Sequence, residues 1–137
     1  MPPAVQQFID YFEKLSDNKD FDLNELYYEN IIFQDPVHKI EGLKKLEAYF
    51  NKLNKNVKTA RFDIHTTDIV DNKAFLEWTM HTTLKLPPNK KISAKGISIL
   101  TFDDKIKTHR DYFDAGELFY ENIPVLGLMI KGFKKTL

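Results

Sequence analysis

Two short stretches carry side chains able to move a proton. Phe33-Gln34-Asp35-Pro36-Val37 and His109-Arg110-Asp111-Tyr112-Phe113-Asp114 each put an aspartate at the end of an otherwise apolar run. A carboxylate in an apolar cavity is harder to ionise than one in water, so it can act as a base on a proton next to a carbonyl. A hydroxyl aimed at the oxygen where charge develops stabilises that charge. Such a base contributes about 10²–10⁴ in rate. The second stretch adds an imidazole. His109, or His81 from a neighbouring strand, beside Asp111 makes a pair in which the carboxylate fixes the tautomer. Each residue also has a plainer reading. Asp35 can cap backbone amides before a proline, as many Asp-Pro pairs do, and the histidines can be satisfied polar residues in a partly wet interior.

The elements that must position these groups follow from hydrophobic period. Val5, Phe8, Ile9, Phe12 and Leu15 keep helical spacing, which predicts a first helix over about 3–16. Tyr11 lies on it. Asp22, with Glu25 three residues on, predicts a second short helix ending near Tyr28-Glu29-Asn30. Ile31 to Gln34 is a short strand stopped by Pro36, which cannot donate to a ladder. Leu43, Leu46, Tyr49, Phe50 and Leu53 predict a third amphipathic helix. From Val57 the period becomes two, giving four strands at about 57–70, 73–86, 91–103 and 105–114. Gly116 to Leu137 reads as helical, interrupted at Pro124. Helices followed by an antiparallel meander mean one α+β domain with helices packed on one sheet face.

On the last strand, alternation sets His109, Asp111 and Phe113 on one face and Arg110, Tyr112 and Asp114 on the other. On the strand before Pro87, Leu76, Trp78, Met80, Leu84 and Leu86 share one face, while Glu77, Thr79, His81 and Thr83 share the other. Amphipathicity alone buries the first set and wets the second.

Composition narrows the function classes. The 137 residues are one domain by length. Twenty basic and twenty acidic side chains balance, so the chain lacks the basic face that non-specific nucleic-acid binding needs. No apolar run approaches the roughly 18–20 residues of a membrane span. There is no cysteine, hence no disulfide or thiolate chemistry; with a start, Met1-Pro2-Pro3-Ala4-Val5, unlike a signal peptide, this fits the cytoplasm. No zinc-like ligand spacing, glycine-rich phosphate loop or cofactor fingerprint occurs, so no cofactor and no metal are expected.

Together these motifs resemble the nuclear transport factor 2-like superfamily, a cone-shaped fold that includes ketosteroid isomerase, limonene epoxide hydrolase and the SnoaL-like polyketide cyclases. Phe33-Gln34-Asp35-Pro36-Val37 is similar to the stretch of ketosteroid isomerase that holds its general-base aspartate, and Asp35 falls on that base. The match runs back without a gap through Tyr27 to Tyr11, at the position of the tyrosine that donates to the enolate oxygen. The second oxyanion donor of the isomerase, a protonated aspartic acid, falls on Ser98. Arg110-Asp111-Tyr112-Phe113-Asp114 resembles a strand of limonene epoxide hydrolase, with Asp111 on the first aspartate of its Asp-Arg-Asp triad. The other two positions are Thr79 and His81, so that water-activating triad is broken. SnoaL-like cyclases use a histidine and an aspartate in this pocket for an aldol closure.

The resemblance implies acid–base chemistry without a cofactor on a small hydrophobic carbonyl compound, closest to isomerase or cyclase. Asp35 would be the base, Tyr11 and Ser98 the oxyanion side, and Asp111 with His81 or His109 a proton relay. Phe33, Thr79, Leu100 and Phe113 would line the pocket with Ser98, under a C-terminal helical lid. It also implies that the polar face carrying Thr79 and His81 lines the cone, while Trp78, Met80, Ile97 and Ile99 meet a second subunit in a homodimer. Two other readings use the same fold: a non-catalytic binding module, and an assembly module whose cavity is filled by side chains.

Overall fold

A computed structural model describes residues 1–17 and 21–114. Helix α1 (Pro3–Glu13) starts where Pro2 and Pro3 supply the fixed φ of a first turn, and buries Ala4, Val5, Phe8, Tyr11 and Phe12 along one stripe. Only a single 3₁₀ turn, Leu23–Glu25, stands where the second helix is expected. Asp22 caps it, its Oδ1 accepting from the Asn24 amide at 2.9 Å. The chain is already strand at Tyr27, and β1 runs Tyr27–Gln34. The Asp22/Glu25 pattern therefore starts a turn, and Tyr27 and Ile31 are drawn into the sheet by full burial.

After β1 a short strand, β2 (Lys39–Glu41), turns back antiparallel, pairing Phe33 with Ile40. Gly42 follows at φ 97°, a left-handed conformation that only glycine takes cheaply, and its N–H donates to Ile31 O at 2.8 Å. That bend launches α2 (Leu43–Asn54), which buries Leu43, Leu46 and Tyr49. Strands β3 (Val57–Val70), β4 (Lys73–Leu84), β5 (Lys91–Phe102) and β6 (Ile106–Phe113) form an antiparallel meander. Strand β1 closes onto β6 in parallel, giving the order β2-β1-β6-β5-β4-β3. The C-terminal lid expected from 116–137 lies outside the described residues. Among those described, no helix is long and apolar enough to cross a membrane.

The two helices cover one face of the sheet, and the core lies between. Leu76 and Leu100 are fully buried there with Tyr27, Ile31 and Ile106, each such aliphatic side chain contributing about 1.5–3 kcal/mol of burial. Ladder pairs define inner-face rows running across the strands: Ala60–Thr82–Ile92, Phe62–Met80–Ala94, Ile64–Trp78–Gly96–Phe113 and Thr67–Leu76–Ser98–Asp111.

These rows correct the expected face assignment. Trp78 is 3% exposed and packed inside, so the apolar face of β4 covers the core as its amphipathicity alone requires. Thr79 and His81 lie on the outer face, opposite Lys95 and Ser93. Ile97 and Ile99 pair with Glu77 and Phe75 and so also lie outside. The patch of Trp78, Met80, Ile97 and Ile99 is thus split between two faces. The outer apolar stripe is instead Phe75, Ile97, Ile99 and Tyr112, with Ile97 37% and Tyr112 49% exposed.

Candidate functional site

The inner face gathers one continuous polar network inside the aromatic core. Trp78 Nε1–H donates to Ser98 Oγ at 2.8 Å, and Ser98 donates onward to Asp111 Oδ1 at 2.5 Å. His109 Nε2 lies 2.6 Å from the same oxygen, and His109 Nδ1 lies 2.8 Å from the Tyr27 hydroxyl. Tyr27 is fully buried, and burial, then the charge of Asp111, holds its pKa well above the ordinary 10.0. The phenol therefore keeps its proton and can donate it to Nδ1, which leaves the Nε2 hydrogen for Asp111. Every hydrogen of the network then points along one line, from Tyr27 and Trp78 toward a single carboxylate oxygen.

Local sequence explains each placement. His109 and Asp111 share a face of β6 because they are two residues apart. Parallel pairing of Phe33 with His109 brings β1 alongside. The imidazole is 2% exposed and sits edge-on to Phe8, Phe12 and Phe33 at centroid distances of 5.1, 6.0 and 4.9 Å. Trp78 reaches Ser98 because it lies over Gly96. A Cβ built there would sit 2.4 Å from the indole and 2.6 Å from Tyr112 O, so only glycine fits.

Asp111 keeps 16% of its side chain exposed, and among the described residues nothing hydrogen-bonds its Oδ2. With His109, Ser98 and Trp78 it lines a cavity of about 10 Å³ walled by Phe8, Phe12, Phe62 and Ile64, room for about one water. A larger groove of about 460 Å³ opens farther along, over Ala60, Thr82 and Ile92 and beside Glu13, Lys14 and Ser16, and its lining extends to Arg61, His81, Lys91 and Ser93.

Asp35 is used differently. Its Oδ1 accepts from the Val37 and His38 amides at 2.8 and 2.7 Å, its own N–H donates to His38 O at 2.9 Å, and Tyr49 donates to its Oδ2. It is 7% exposed and lines neither cavity. This is the turn-capping arrangement, with a buried phenol added. Burial first, then the charge of Asp35 and the bond to it, raises the Tyr49 pKa far above 10.0.

The other expected site residues divide between inside and outside. Tyr11 is buried against Phe12 and Phe21, its pKa raised by burial, and lines neither cavity. Ser98, Phe33 and Leu100 are buried at or beside the network, and Phe113 pairs with Gly96 one row away. His81 and Thr79 do not approach it. His81 Nε2 lies 2.9 Å from Asp63 Oδ2 and its Nδ1 3.3 Å from Ser93 Oγ, while Thr79 pairs with His65 at 2.7 Å, all on the outer face. Of the two histidines proposed to partner Asp111, the alternation of β6 selects His109. Tyr27, Trp78 and Tyr49 enter the polar networks without having been predicted there. The signal for Trp78 is the glycine opposite it, but for Tyr27 it lies in the β1–β6 pairing, which no local pattern encodes.

Among the described residues no group of three or more His, Asp or Glu side chains is placed to hold a metal ion. No curated protein matches the sequence. Solved structures do match in fold. An NTF2-like protein of unknown function from Burkholderia pseudomallei is similar with a TM-score of 0.74 at 14% identity, covering 88% of this chain and 97% of that one. An LEH-like epoxide hydrolase from M. tuberculosis matches at 0.71 and 17%, covering 94% and 93%. A protein with a ketosteroid isomerase-like fold from Catenulispora acidiphila, solved with trimethylamine, matches at 0.70 and 12%, covering 84% and 88%. The family model for the SnoaL-like domain matches residues 5–109, most of the sequence. The chain belongs to the SnoaL-like domain family.

Proposed function

We propose that this protein carries out cofactor-independent acid–base chemistry of the isomerase or cyclase type on a small hydrophobic carbonyl compound, with Asp111 as the proton acceptor. The observation that carries this reading is the half-used carboxylate: Oδ1 is held by Ser98 and His109, while Oδ2 has no hydrogen-bond partner among the described residues. Oδ2 takes the proton α to the carbonyl, and the electron pair moves onto the carbonyl oxygen as an enolate. The same carboxyl returns the proton to another carbon of the enolate, or the enolate carbon attacks a second carbonyl, whose C=O opens to an alkoxide that takes the proton back from the carboxyl. His109, oriented by Tyr27, and Ser98, oriented by Trp78, hold the carboxylate in place for both transfers. Asp35 has no part in the transfer here, since both its oxygens serve the turn and Tyr49.

Deuterium incorporation from heavy water into the α position of enolisable ketones tests this directly. Wild type should exchange them, and a folded Asp111→Asn variant should be slower by about 10²–10⁴. Equal rates for the two proteins would end the assignment.

A second reading, the non-catalytic binding module of the same fold, draws on the groove of about 460 Å³. It predicts ligand binding unchanged in Asp111→Asn and no exchange in either protein. Under both readings the outer stripe of Phe75, Ile97, Ile99 and Tyr112 joins two copies into a homodimer. Sedimentation should give a dimer that Ile97→Lys converts to monomer; a monomeric wild type removes this part of the proposal.

A further inference from the structure

The polar network accounts for the inner face as far as Trp78, but not for the much larger space beyond it. The groove of about 460 Å³ has the Ala60–Thr82–Ile92 row as its floor and charged Glu13, Lys14, Arg61 and Lys91 around it. Next along the face comes the row Phe62–Met80–Ala94, and after it the row of Trp78, which walls the Asp111 cavity. One row of side chains therefore separates a ligand-sized groove from a water-sized cavity that holds the only half-used carboxylate of the network.

The divider is Phe62. Its ring meets Trp78 edge-on at 4.8 Å and Phe12 edge-on at 5.4 Å, and it lines the cavity without lining the groove. The ring is only half-buried, unlike Trp78 and Phe12 on either side. Ala94, at the far end of the row, is small, so beyond Phe62 the row is closed only by half-buried Met80, an unbranched and adaptable side chain.

We propose that groove and cavity are two chambers of one ligand site, with Phe62 as the residue that sets which ligands reach Asp111. The inference rests on the acid–base reading of Asp111 and adds the shape of the substrate. Thr82 and Trp78 are four residues apart on one strand, about 13 Å at roughly 3.3 Å per residue. The substrate is therefore elongated, with its reacting carbonyl end at Asp111 and a body of at least that length over Ala60, Thr82 and Ile92, flanked by the charged side chains of Glu13, Lys14 and Arg61. Contact of that body with the groove supplies the binding free energy that displaces the Phe62 ring; a ligand too short to reach the groove cannot displace it. Phe62 is thus a specificity-determining residue, and the groove is the subsite that recognises length.

The chain contains a single tryptophan, and it stands in the cavity wall, so its fluorescence reports occupancy at Asp111. Butanone, octanone and tetradecanone would be titrated into the intact protein. For wild type the longest ketone should bind at least tenfold more tightly than butanone. Thr82→Tyr, which fills the groove floor with a residue that strands accept well, should erase that length preference. Phe62→Ala should let butanone bind and flatten the preference from the other side. Length dependence that survives in Thr82→Tyr overturns the two-chamber site while leaving Asp111 in place. If no ketone perturbs Trp78 in any of the three proteins, both the acid–base reading and this inference fall. Should Phe62→Ala fail to fold, the comparison of wild type with Thr82→Tyr decides the matter alone.

Discussion

Asp35 and Asp111 both lie at the C-terminal end of a strand, and both touch an aromatic side chain that bears a polar atom, yet their oxygens are used in opposite ways. Asp35 closes a turn. Two backbone amides take one oxygen and the Tyr49 phenol takes the other. Asp111 collects two donors on one oxygen and leaves the second without a partner among the described residues. The first is an acceptor with both oxygens engaged, whose charge-assisted bonds stabilise the fold. The second combines fixed orientation with spare acceptor capacity, as a base needs. Sequence position does not distinguish them, since each is an aspartate near a strand end. What distinguishes them is whether the chain turns back locally, as it does at Pro36, or continues along the sheet, as it does from Asp111 to Phe113.

Removing each carboxylate is the sharpest way to break this comparison. Asp35→Ala leaves two amides and a buried phenol without their acceptor and should cost about 2–4 kcal/mol in urea unfolding. Asp35→Asn keeps an oxygen for the amides and should cost less, about 1–2 kcal/mol. Asp111→Asn also keeps an oxygen for Ser98 and His109 and loses nothing at the unpaired position, so its stability should stay within about 1 kcal/mol of wild type. An Asp111→Asn variant as destabilised as Asp35→Ala would mean that both aspartates are structural.

How much of this was legible beforehand depends on how local each cause is. The four long strands follow period-two alternation, and their observed bounds lie within a few residues of those expected. The inward placement of Trp78 and Leu76 was also legible from amphipathicity. The resemblance pointed the other way, and the simple rule prevails because the helices need an apolar face to cover. The short β2 was not legible, because three residues with exposed Lys39 and Glu41 around buried Ile40 carry too little pattern. The same holds for the helix expected up to Tyr28-Glu29-Asn30. A helical start signal at Asp22 is genuine, but it governs only one turn before tertiary burial of Tyr27 takes over. Of the site, His109 with Asp111 could be read from spacing, and Ser98 from the resemblance. The bonds from Tyr27 and Trp78 arise from pairings across long stretches of chain.

Tyr49 offers the finest test of the Asp35 corner, through pH. Its phenol is held neutral by burial first, then by the charge of Asp35 and the bond to it. Tyr49→Phe removes one donor from a buried carboxylate, which should cost about 1–3 kcal/mol near neutral pH. The sign reverses the advantage on the alkaline side. A tyrosine whose folded pKa is raised gives stability that is complete below its unfolded value near 10 and declines above it, because the unfolded chain loses the proton while the folded chain keeps it. Wild type should therefore lose about 1.4 kcal/mol per pH unit above 10 for each such phenol, and Tyr27, also raised by burial, contributes in the same direction. Tyr49→Phe keeps the Tyr27 share and lacks its own. The stability curves of wild type and variant should run parallel up to about pH 10 and then converge. Curves that stay parallel through that range would mean Tyr49 ionises as readily folded as unfolded. The corner would then be open to water, and Asp35 would lose its place as the member of the pair with both oxygens engaged.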